Sequence, residues 1–366
     1  MLNKTISLTL IAAMSLALVS CRKETMEPKA SPVDLNQYAP SSTSFHSENS
    51  LSADFSSTIW SHYQTGVSGS FSSGVSIHYK SFAVSGEKGA VVLLPGRNEP
   101  AAKYAEVIYD LNNKNYSVYV MSHRGQGESG RMLTNPQIGY VQSFRDYVND
   151  LSTFVGIVKS KTSSKLFMLA HSMGGAIGAQ YLHDHPNDFT AAVLSAPMLG
   201  INTGVWPEAV TYNMIQTAVN TGQDKGYVPG HKDFDPNLKF EDTVNTDVTR
   251  SRPRFDMKMK IFLDNPTWQL GGVSYRWLHQ SYMMTKEVGS SFYAGETATR
   301  ILMFQAGLDT IVKNSPQTSF CSKAPRCQLE TFSDSYHEIL QERDSIRNSA
   351  MSKVVGYFEH FVQGGQ

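Results

Sequence analysis

The chain has 366 residues, of which 40% are hydrophobic and 11% aromatic, so it can bury a substantial core. This length allows one large α/β domain that carries an insertion, or two domains. The 32 basic and 32 acidic residues give a formal net charge of +0, which argues against a nucleic-acid-binding protein and against a partner with an acidic surface.

Residues 1–20 have the pattern of an export signal. Lys4 precedes an uncharged stretch from Thr5 to Ser20, which is rich in Leu, Ile, Ala and Val and is short for a membrane span. The following Cys21 completes a sequence that resembles the lipobox of bacterial lipoproteins, in which the cysteine becomes the lipidated first residue. The alternative is an ordinary signal peptide cut nearby, with Cys21 incidental. We therefore predict a protein of the bacterial cell envelope, lipid-anchored to a membrane and facing the periplasm or exterior.

The stretch after Cys21 is poor in apolar residues and rich in Ser, Pro, Glu, Lys and Asn up to about residue 50. A segment of this composition buries too little apolar surface to offset the entropy of ordering it. We therefore predict a flexible tether over residues 21–50, between the lipid anchor and the folded part of the chain.

Strands and helices then alternate along the chain. Val75 to Val84 switches loosely between apolar and polar residues, which is typical of an edge strand. Buried-type strands are predicted at residues 89–94, 116–122, 166–170 and 191–197, with helices at residues 101–113, 140–161 and after residue 172. Strands that alternate with helices imply parallel crossovers, so we predict an α/β fold with a doubly wound, mostly parallel sheet.

This alternation is lost between residues 198 and 298, where prolines, tryptophans and methionines are scattered among helical fragments and charged loops. It returns with strands at residues 300–307 and 328–332 and a final helix. The aromatic residues of this stretch, together with Met283 and Met284, either line an acyl-chain tunnel or pack in the core of the insertion. The predicted division is an α/β core over residues 51–197 and 299–366, with a helical cap inserted over residues 198–298.

Leu166 to Gly178 has the pattern of a strand, a sharp turn and a helix, with Ser172 at the bend. This arrangement is the nucleophile elbow, in which small residues flank the serine because strand and helix approach closely. Ala170 replaces the first glycine of the usual pattern, whereas Gly174 and Gly175 are present. A Ser-x-Gly triplet also occurs in ordinary turns, so the interpretation depends on residues further along the chain.

A serine hydroxyl needs a base to remove its proton and a carboxylate to orient that base. In this fold the acid and the base follow later strands, in the chain order Ser, Asp, His. Asp309 follows the strand at residues 300–307, and His337 precedes the last helix, so we predict a catalytic triad of Ser172, Asp309 and His337. Asp334 is the competing acid but lies too near His337 in sequence to be favoured.

An acyl-transfer reaction also needs two N–H donors for the oxyanion. The first is predicted to be the backbone N–H of Met173, which directly follows the nucleophile. The second is predicted on the loop after Leu94, at Arg97, with Asn98 as the second choice. The side chain of Arg97 either attracts a phosphate head group or is a solvated or structural arginine.

Several stretches together resemble the lysophospholipase L2 and monoacylglycerol lipase group of the α/β-hydrolase superfamily, and they span roughly residues 75–360. They are residues 95–104, 123–131 and 170–175, the Asp309 segment, and His337 to Leu340. The resemblance implies the same triad and the same oxyanion donors, Arg97 and Met173. One departure is Ser122, where these proteins often have Asp before His-Arg-Gly. The other is the leader, so the family's localisation does not carry over.

The resemblance implies a serine hydrolase that cleaves carboxylic esters of lysophospholipids or monoacylglycerols through an acyl-enzyme, with no metal or organic cofactor. The expected partners are a lipid or small ester substrate and a membrane. Acyl transfer or short-chain ester cleavage on the same triad is the alternative, and a non-catalytic binding protein is a further one. In an oxidising compartment Cys321 and Cys327 form either a small-loop disulfide or two unpaired thiols.

Overall fold

The computed structural model describes residues 29–204, 207–243 and 248–365, so the export signal and Cys21 lie outside the described residues. An eight-stranded sheet forms the centre of the fold, in the order β1-β2-β4-β3-β5-β6-β7-β8. β2 pairs antiparallel with both β1 and β4, and all the other neighbouring strands pair parallel. The strands are β1 (Val67–Ser72), β2 (Ser76–Phe82), β3 (Gly89–Leu94), β4 (Tyr116–Met121), β5 (Leu166–His171), β6 (Ala191–Ser195), β7 (Arg300–Ala306) and β8 (Cys327–Phe332).

Helices cover both faces of this sheet, as expected for strands β3 to β6 that are apolar and buried along their whole length. The described α-helices are α1 (Glu48–Asp54), α2 (Ser61–Thr65), α3 (Ala105–Asn112), α4 (Arg145–Lys161), α5 (Met173–Asp184), α6 (Glu208–Asn220), α7 (Phe240–Thr243), α8 (Arg252–Asp264), α9 (Tyr275–Val288), α10 (Ser291–Glu296), α11 (Asn314–Lys323) and α12 (Asp344–Val362). Helices α4, α5 and α11 pack in the apolar cluster on one face, whereas α3 and α12 pack in the cluster on the other.

The strand predicted at the sheet edge is an interior strand. β2 pairs with β4 on one side and with β1 on the other, and β1 forms the edge. The sequence of β1 is Val-Ser-Gly-Ser-Phe-Ser, and most of its residues are exposed or half-buried. A short edge strand of small polar residues has almost no periodic apolar signal, which explains why it was not predicted.

The prediction of a flexible tether is wrong for residues 29–50, which pack against the core. Val33, Leu35 and Phe45 are buried, and α1 already begins at Glu48. The backbone N–H of Val33 donates to Gln328 Oε1 at 2.9 Å, and further contacts join this segment to α12. A few apolar side chains that join the core cluster on one face of the sheet are enough to order a segment whose average composition is polar.

Helices α6 to α10 lie between β6 and β7, where the helical insertion was predicted, and together they form the cap. Helix α8 is joined to the core through Arg254, whose guanidinium is fully buried. Its Nη2 lies 2.8 Å from Glu106 of α3 and 2.7 Å from Asp344 of α12. The same Glu106 lies 3.6 Å from Arg347. This buried ion network fixes one end of the cap relative to the core helices α3 and α12.

Cys321 and Cys327 form a disulfide that connects the end of α11 to the start of β8, with a Cα–Cα distance of 5.1 Å. The segment that begins at Lys29 contacts the same loop. Lys29 Nζ donates to the carbonyl of Cys321 at 2.6 Å, and Ala30 N donates to the carbonyl of Pro325 at 2.9 Å. Across the described ranges, no helix combines the length and hydropathy that a membrane span requires.

Candidate active site

Ser172 occupies the bend between β5 and α5, with a left-handed backbone conformation of φ 51° and ψ −116°. A Cβ atom added to Gly174 would lie 2.4 Å from the carbonyl oxygens of both Leu94 and Pro95. One added to Gly175 would lie 2.7 Å from Pro197. The close approach of α5 to the neighbouring strands therefore requires these glycines, and the bend projects Ser172 beyond the end of the sheet.

The structure brings the three predicted triad residues together. His337 Nε2 lies 2.9 Å from Ser172 Oγ, and His337 Nδ1 lies 2.6 Å from Asp309 Oδ2. With the imidazole protonated on Nδ1, that nitrogen donates to the carboxylate and Nε2 accepts from the serine hydroxyl. Serine, base and acid are thus within hydrogen-bonding reach in the order that nucleophilic catalysis needs.

Asp309 is held in place by its own loop. Its Oδ1 accepts hydrogen bonds from the backbone N–H groups of Ile311 and Val312, at 2.8 and 3.0 Å, which leaves Oδ2 for His337. The competing acid, Asp334, has a side chain that is 68% exposed and pairs with Arg250 and Arg343. The geometry therefore favours Asp309 as the acid.

The predicted oxyanion donors flank the same serine. Met173 is the first residue of α5, where backbone N–H groups have no intrahelical acceptor. Arg97 lies on the loop after β3. The backbone N–H groups of Met173 and Arg97 have no protein acceptor among the described residues. The N–H of Asn98, the second choice, donates to Gln126 Oε1 at 3.2 Å. Arg97 therefore remains the candidate on this loop.

The loop after β4 has the sequence His-Arg-Gly-Gln. It is hydrogen-bonded to the oxyanion loop, which is the loop after β3 that carries Arg97. His123 Nε2 donates to the carbonyl of Pro95 at 3.0 Å, and Gln126 Nε2 donates to the carbonyl of Gly96 at 2.7 Å. Burial lowers the pKa of His123 to about 4, so the ring stays neutral at neutral pH. Ser122 Oγ donates to Glu128 Oε2 at 2.5 Å, a hydrogen bond that links the start of this loop to its end.

A buried ion network that the sequence did not predict lies behind the site. The ammonium of Lys103 lies 2.6 Å from Glu99 and 2.8 Å from Glu338, and all three side chains are at least 90% buried. Glu99 also accepts from the backbone N–H of Gly96 and from Tyr104 Oη. Glu338 directly follows His337. The network therefore joins the oxyanion loop to the loop that carries the predicted base.

The electrostatics of this network keep its carboxyls ionised. Burial opposes ionisation, but the Lys103 ammonium holds the pKa of Glu99 below its usual range. Burial likewise opposes ionisation of Glu338, whose pKa is held well below its usual range by Lys103 and Lys258. The only sequence signal was the spacing of Glu99 and Lys103, which are four residues apart.

His171 lies beside the predicted base, with its ring centroid 4.8 Å from that of His337. Its Nδ1 donates to the carbonyl of Ser195 at 3.1 Å, and burial lowers its pKa to about 4. A neutral ring adds no competing positive charge next to an imidazole that must become cationic during catalysis.

A cavity of about 890 Å³ opens in front of Ser172 and lies between the cap and the sheet. Its wall is mainly apolar and includes Met198, Val228, Phe262, Leu270, Trp277 and Leu278. Val210, Met214, Leu238 and Ile311 also border it and are exposed to solvent. Met283 and Met284 do not line it: Met284 is buried in the core and Met283 is on the surface. In the part of the chain that the structure describes, no group of His, Cys, Asp and Glu is placed to hold a metal ion.

The fold and the Ser–His–Asp geometry define a serine hydrolase with the α/β-hydrolase architecture. A family model described as Hydrolase_4, serine aminopeptidase S33, matches residues 85–344. The lysophospholipase L2 of Escherichia coli is 35% identical over 286 residues, which cover 73% of this chain and 79% of the relative. The probable lysophospholipase L2 of Haemophilus influenzae is 30% identical over 281 residues, covering 76% and 85%. The chain therefore belongs to the Hydrolase_4 family.

A solved structure of a soluble variant of the Saccharomyces cerevisiae monoglyceride lipase superposes with a TM-score of 0.63. At 18% identity, covering 80% of this chain and 94% of that one, it supports the fold alone. The predicted fold class and the predicted resemblance are confirmed, as is the enzyme class of carboxylic ester hydrolase.

Proposed function

We propose that the protein hydrolyses the single acyl ester of lysophospholipids or monoacylglycerols. The observation that carries the proposal is the alignment of Ser172, His337 and Asp309 at the mouth of an apolar cavity of about 890 Å³. A cavity of this size and polarity suits one acyl chain. The names of the two bacterial relatives, lysophospholipase L2, point to the same substrates.

The mechanism follows from the hydrogen bonds at the site. His337 Nε2 takes the proton of Ser172 Oγ as the oxygen attacks the acyl carbonyl, and Asp309 stabilises the resulting imidazolium. The N–H groups of Arg97 and Met173 stabilise the oxyanion. His337 then protonates the leaving glycerol oxygen, and an acyl-enzyme remains on Ser172. Water, activated by the same imidazole, attacks this ester and releases the fatty acid.

The protein is further proposed to be lipid-anchored through Cys21 in the bacterial cell envelope. The support is the sequence of the leader, Leu-Val-Ser-Cys, after an uncharged apolar stretch. Expression of the full chain with a radiolabelled fatty acid should label the wild type but not Cys21→Ala, and only the wild type should sediment with membranes. Equal membrane recovery of an unlabelled Cys21→Ala protein would contradict the anchor.

The catalytic proposal is tested with three esters: a lysophosphatidylcholine, a monoacylglycerol with the same acyl chain and a short-chain nitrophenyl ester. The wild type should cleave the first two, and Ser172→Ala should lose at least three orders of magnitude in kcat on every ester that the wild type cleaves. Circular dichroism checks that the variant is folded.

The outcomes separate the alternatives. Serine-dependent cleavage of only the nitrophenyl ester would contradict the lipid assignment and leave a short-chain esterase. A transacylated product that forms when glycerol is added in excess would identify an acyltransferase. Full activity of Ser172→Ala would contradict the assigned triad.

A further inference from the structure

The guanidinium of Arg97 lines the cavity that contains Ser172 and His337, but it has no carboxylate partner within 4.0 Å among the described residues. The two lysines that line the same cavity are paired. Lys258 lies 3.8 Å from Glu338, and Lys232 lies 3.1 Å from Asp235. A half-buried cation without a counter-ion costs free energy that a bound anion would offset.

The cap fixes this guanidinium in one position. Nη1 donates to the carbonyl of Gly271 at 2.9 Å, and Cζ lies 5.8 Å from the ring centroid of Trp277. Nε and Nη2 have no acceptor among the residues that the structure describes. Burial lowers the pKa of Arg97, which reflects poor solvation of its charge. The free edge is therefore an ordered pair of donors, the arrangement that binds the two oxygens of a phosphate.

The carboxylates near the cavity do not oppose an anion at this position. Glu99 and Glu338 share the ammonium of Lys103. Asp233 and Asp235 lie on the outer loop, where Asp233 accepts from Tyr227 and Asp235 pairs with Lys232. Each acid on this side of the cavity is thus already hydrogen-bonded or ion-paired, and Arg97 retains its charge for a ligand.

We propose that the Arg97 side chain binds the phosphate of a lysophospholipid head group while the backbone N–H of the same residue stabilises the oxyanion. The glycerol unit that separates the scissile carbonyl from the phosphorus is about as long as an extended arginine side chain. One residue therefore spans both ends of the polar part of the substrate. This inference rests on the proposed function and deepens it, because it selects lysophospholipids over monoacylglycerols.

The test measures binding, so that it does not depend on turnover. Two ligands with the same short alkyl chain in ether linkage are titrated by calorimetry below their micelle concentrations: an alkyl lysophosphatidylcholine and an alkylglycerol. Neither has an ester to cleave. The wild type should bind the phosphorylated ether about ten-fold to a hundred-fold more tightly, as expected for charge-assisted hydrogen bonds. In Arg97→Met this preference should fall to about two-fold or less.

Two further variants separate charge recognition from support of the cap. Arg97→Lys keeps the charge but not the planar donor pair, so it should retain part of the preference. Lys232→Met removes a cation that lines the same cavity but is exposed and paired, and it should retain the wild-type preference. An unchanged preference in Arg97→Met, or a preference of the wild type for the neutral ether, would overturn the proposal.

The same variants assayed on cleavable substrates distinguish this inference from the proposed function. If Arg97→Met lowers kcat/KM equally for lysophosphatidylcholine and monoacylglycerol, the side chain supports the oxyanion loop and the phosphate site is refuted, although the hydrolase remains. If the wild type cleaves neither lipid but still prefers the phosphorylated ether through Arg97, the phosphate site stands and the proposed substrate assignment fails. Free sn-glycerol 3-phosphate in the calorimeter shows whether phosphate alone is bound without the acyl chain.

Discussion

The ammonium of Lys103 lies 2.8 Å from the carboxylate of Glu338, so a residue just after the oxyanion loop is ion-paired with the neighbour of the predicted base. Glu99 accepts from the same ammonium at 2.6 Å. The two loops that must hold the oxyanion donor and His337 in register are therefore connected through one buried cation. The relative position of these two loops therefore depends on one buried ammonium and two buried carboxylates, which are shielded from solvent.

Replacing Lys103 with Met should destabilise the fold strongly, because it leaves Glu99 and Glu338 buried without their shared cation. Breaking a buried ion pair by removing one partner costs about 3–5 kcal/mol. Urea unfolding measures the loss. Lys260→Met is the matched control, since Lys260 pairs with Asp264 on the exposed surface of α8 and its loss should cost under about 1 kcal/mol. Equal effects of the two variants would contradict the role given to Lys103.

Asp309→Asn should lower kcat by about four orders of magnitude, because an amide does not hold the histidine in the required tautomer or stabilise its cation. Substrate affinity should change much less. Asp334→Asn, whose side chain is 68% exposed, serves as the control and should keep kcat within about two-fold of the wild type. A large loss in Asp334→Asn together with a small one in Asp309→Asn would reverse the assignment of the acid.

Gly174→Ala should be severely destabilising or inactive, since its Cβ would lie 2.4 Å from two carbonyl oxygens. Backbone atoms do not move aside as side chains do, so the elbow itself must shift. Gly156→Ala is the control, because this exposed helical position has no atom within 4 Å of an added Cβ. It should raise the free energy of unfolding by about 0.5–1 kcal/mol. Thermal unfolding and the nitrophenyl ester assay report both outcomes.

The fold should lose stability in mild acid. Burial lowers the pKa of His123 and of His171 from 6.5 to about 4, so the unfolded chain binds more protons than the folded one between these values. The free energy of unfolding must then fall as the pH is lowered through this window, on the order of 3 kcal/mol for each histidine. The depressed pKa values of Glu99 and Glu338 act in the same direction at lower pH.

Urea unfolding at a series of pH values between 7 and 4 checks this expectation, and His171→Asn should show a shallower slope than the wild type. A stability that is flat across the window would mean that the two imidazoles bind protons as readily in the folded chain as in the unfolded one.

Removing the disulfide through Cys321→Ser with Cys327→Ser should lower the free energy of unfolding by about 2 kcal/mol, the value expected for closing so short a loop. Reduced and oxidised wild type, compared by urea unfolding, should differ by a similar amount. No difference between them would show that the bridge does not constrain the unfolded chain.

The parts of the fold that sequence reasoning predicted share one property, which is a strong local pattern. β3, β5 and β6 are continuous apolar runs, and the triad residues each follow the end of a strand. The parallel topology then brings Ser172, Asp309 and His337 to one edge of the sheet. The order of strands and helices alone was therefore enough to predict that these three residues lie close together.

The parts that were missed depend on contacts between distant segments. Val33 and Phe45 are single apolar residues in polar surroundings, and their burial is decided by the surface they meet on the core. The ion network at Lys103 joins residues from two separate loops, and nothing in either local sequence indicates the other. Charges read from sequence are usually assigned to the solvent-exposed surface, which is where most of them lie.

The position of the first described residues decides which side of the enzyme an anchor at Cys21 would hold. Lys29 and Ala30 lie beside the start of β8, at the edge of the parallel strands opposite to Ser172, which follows the end of β5. The chain from Cys21 to Lys29 can bridge at most about 30 Å, even fully extended. An enzyme held by Cys21 would therefore be attached on the side of the sheet opposite to its catalytic mouth, which leaves the mouth open to lipids that arrive from the aqueous space or from a facing membrane.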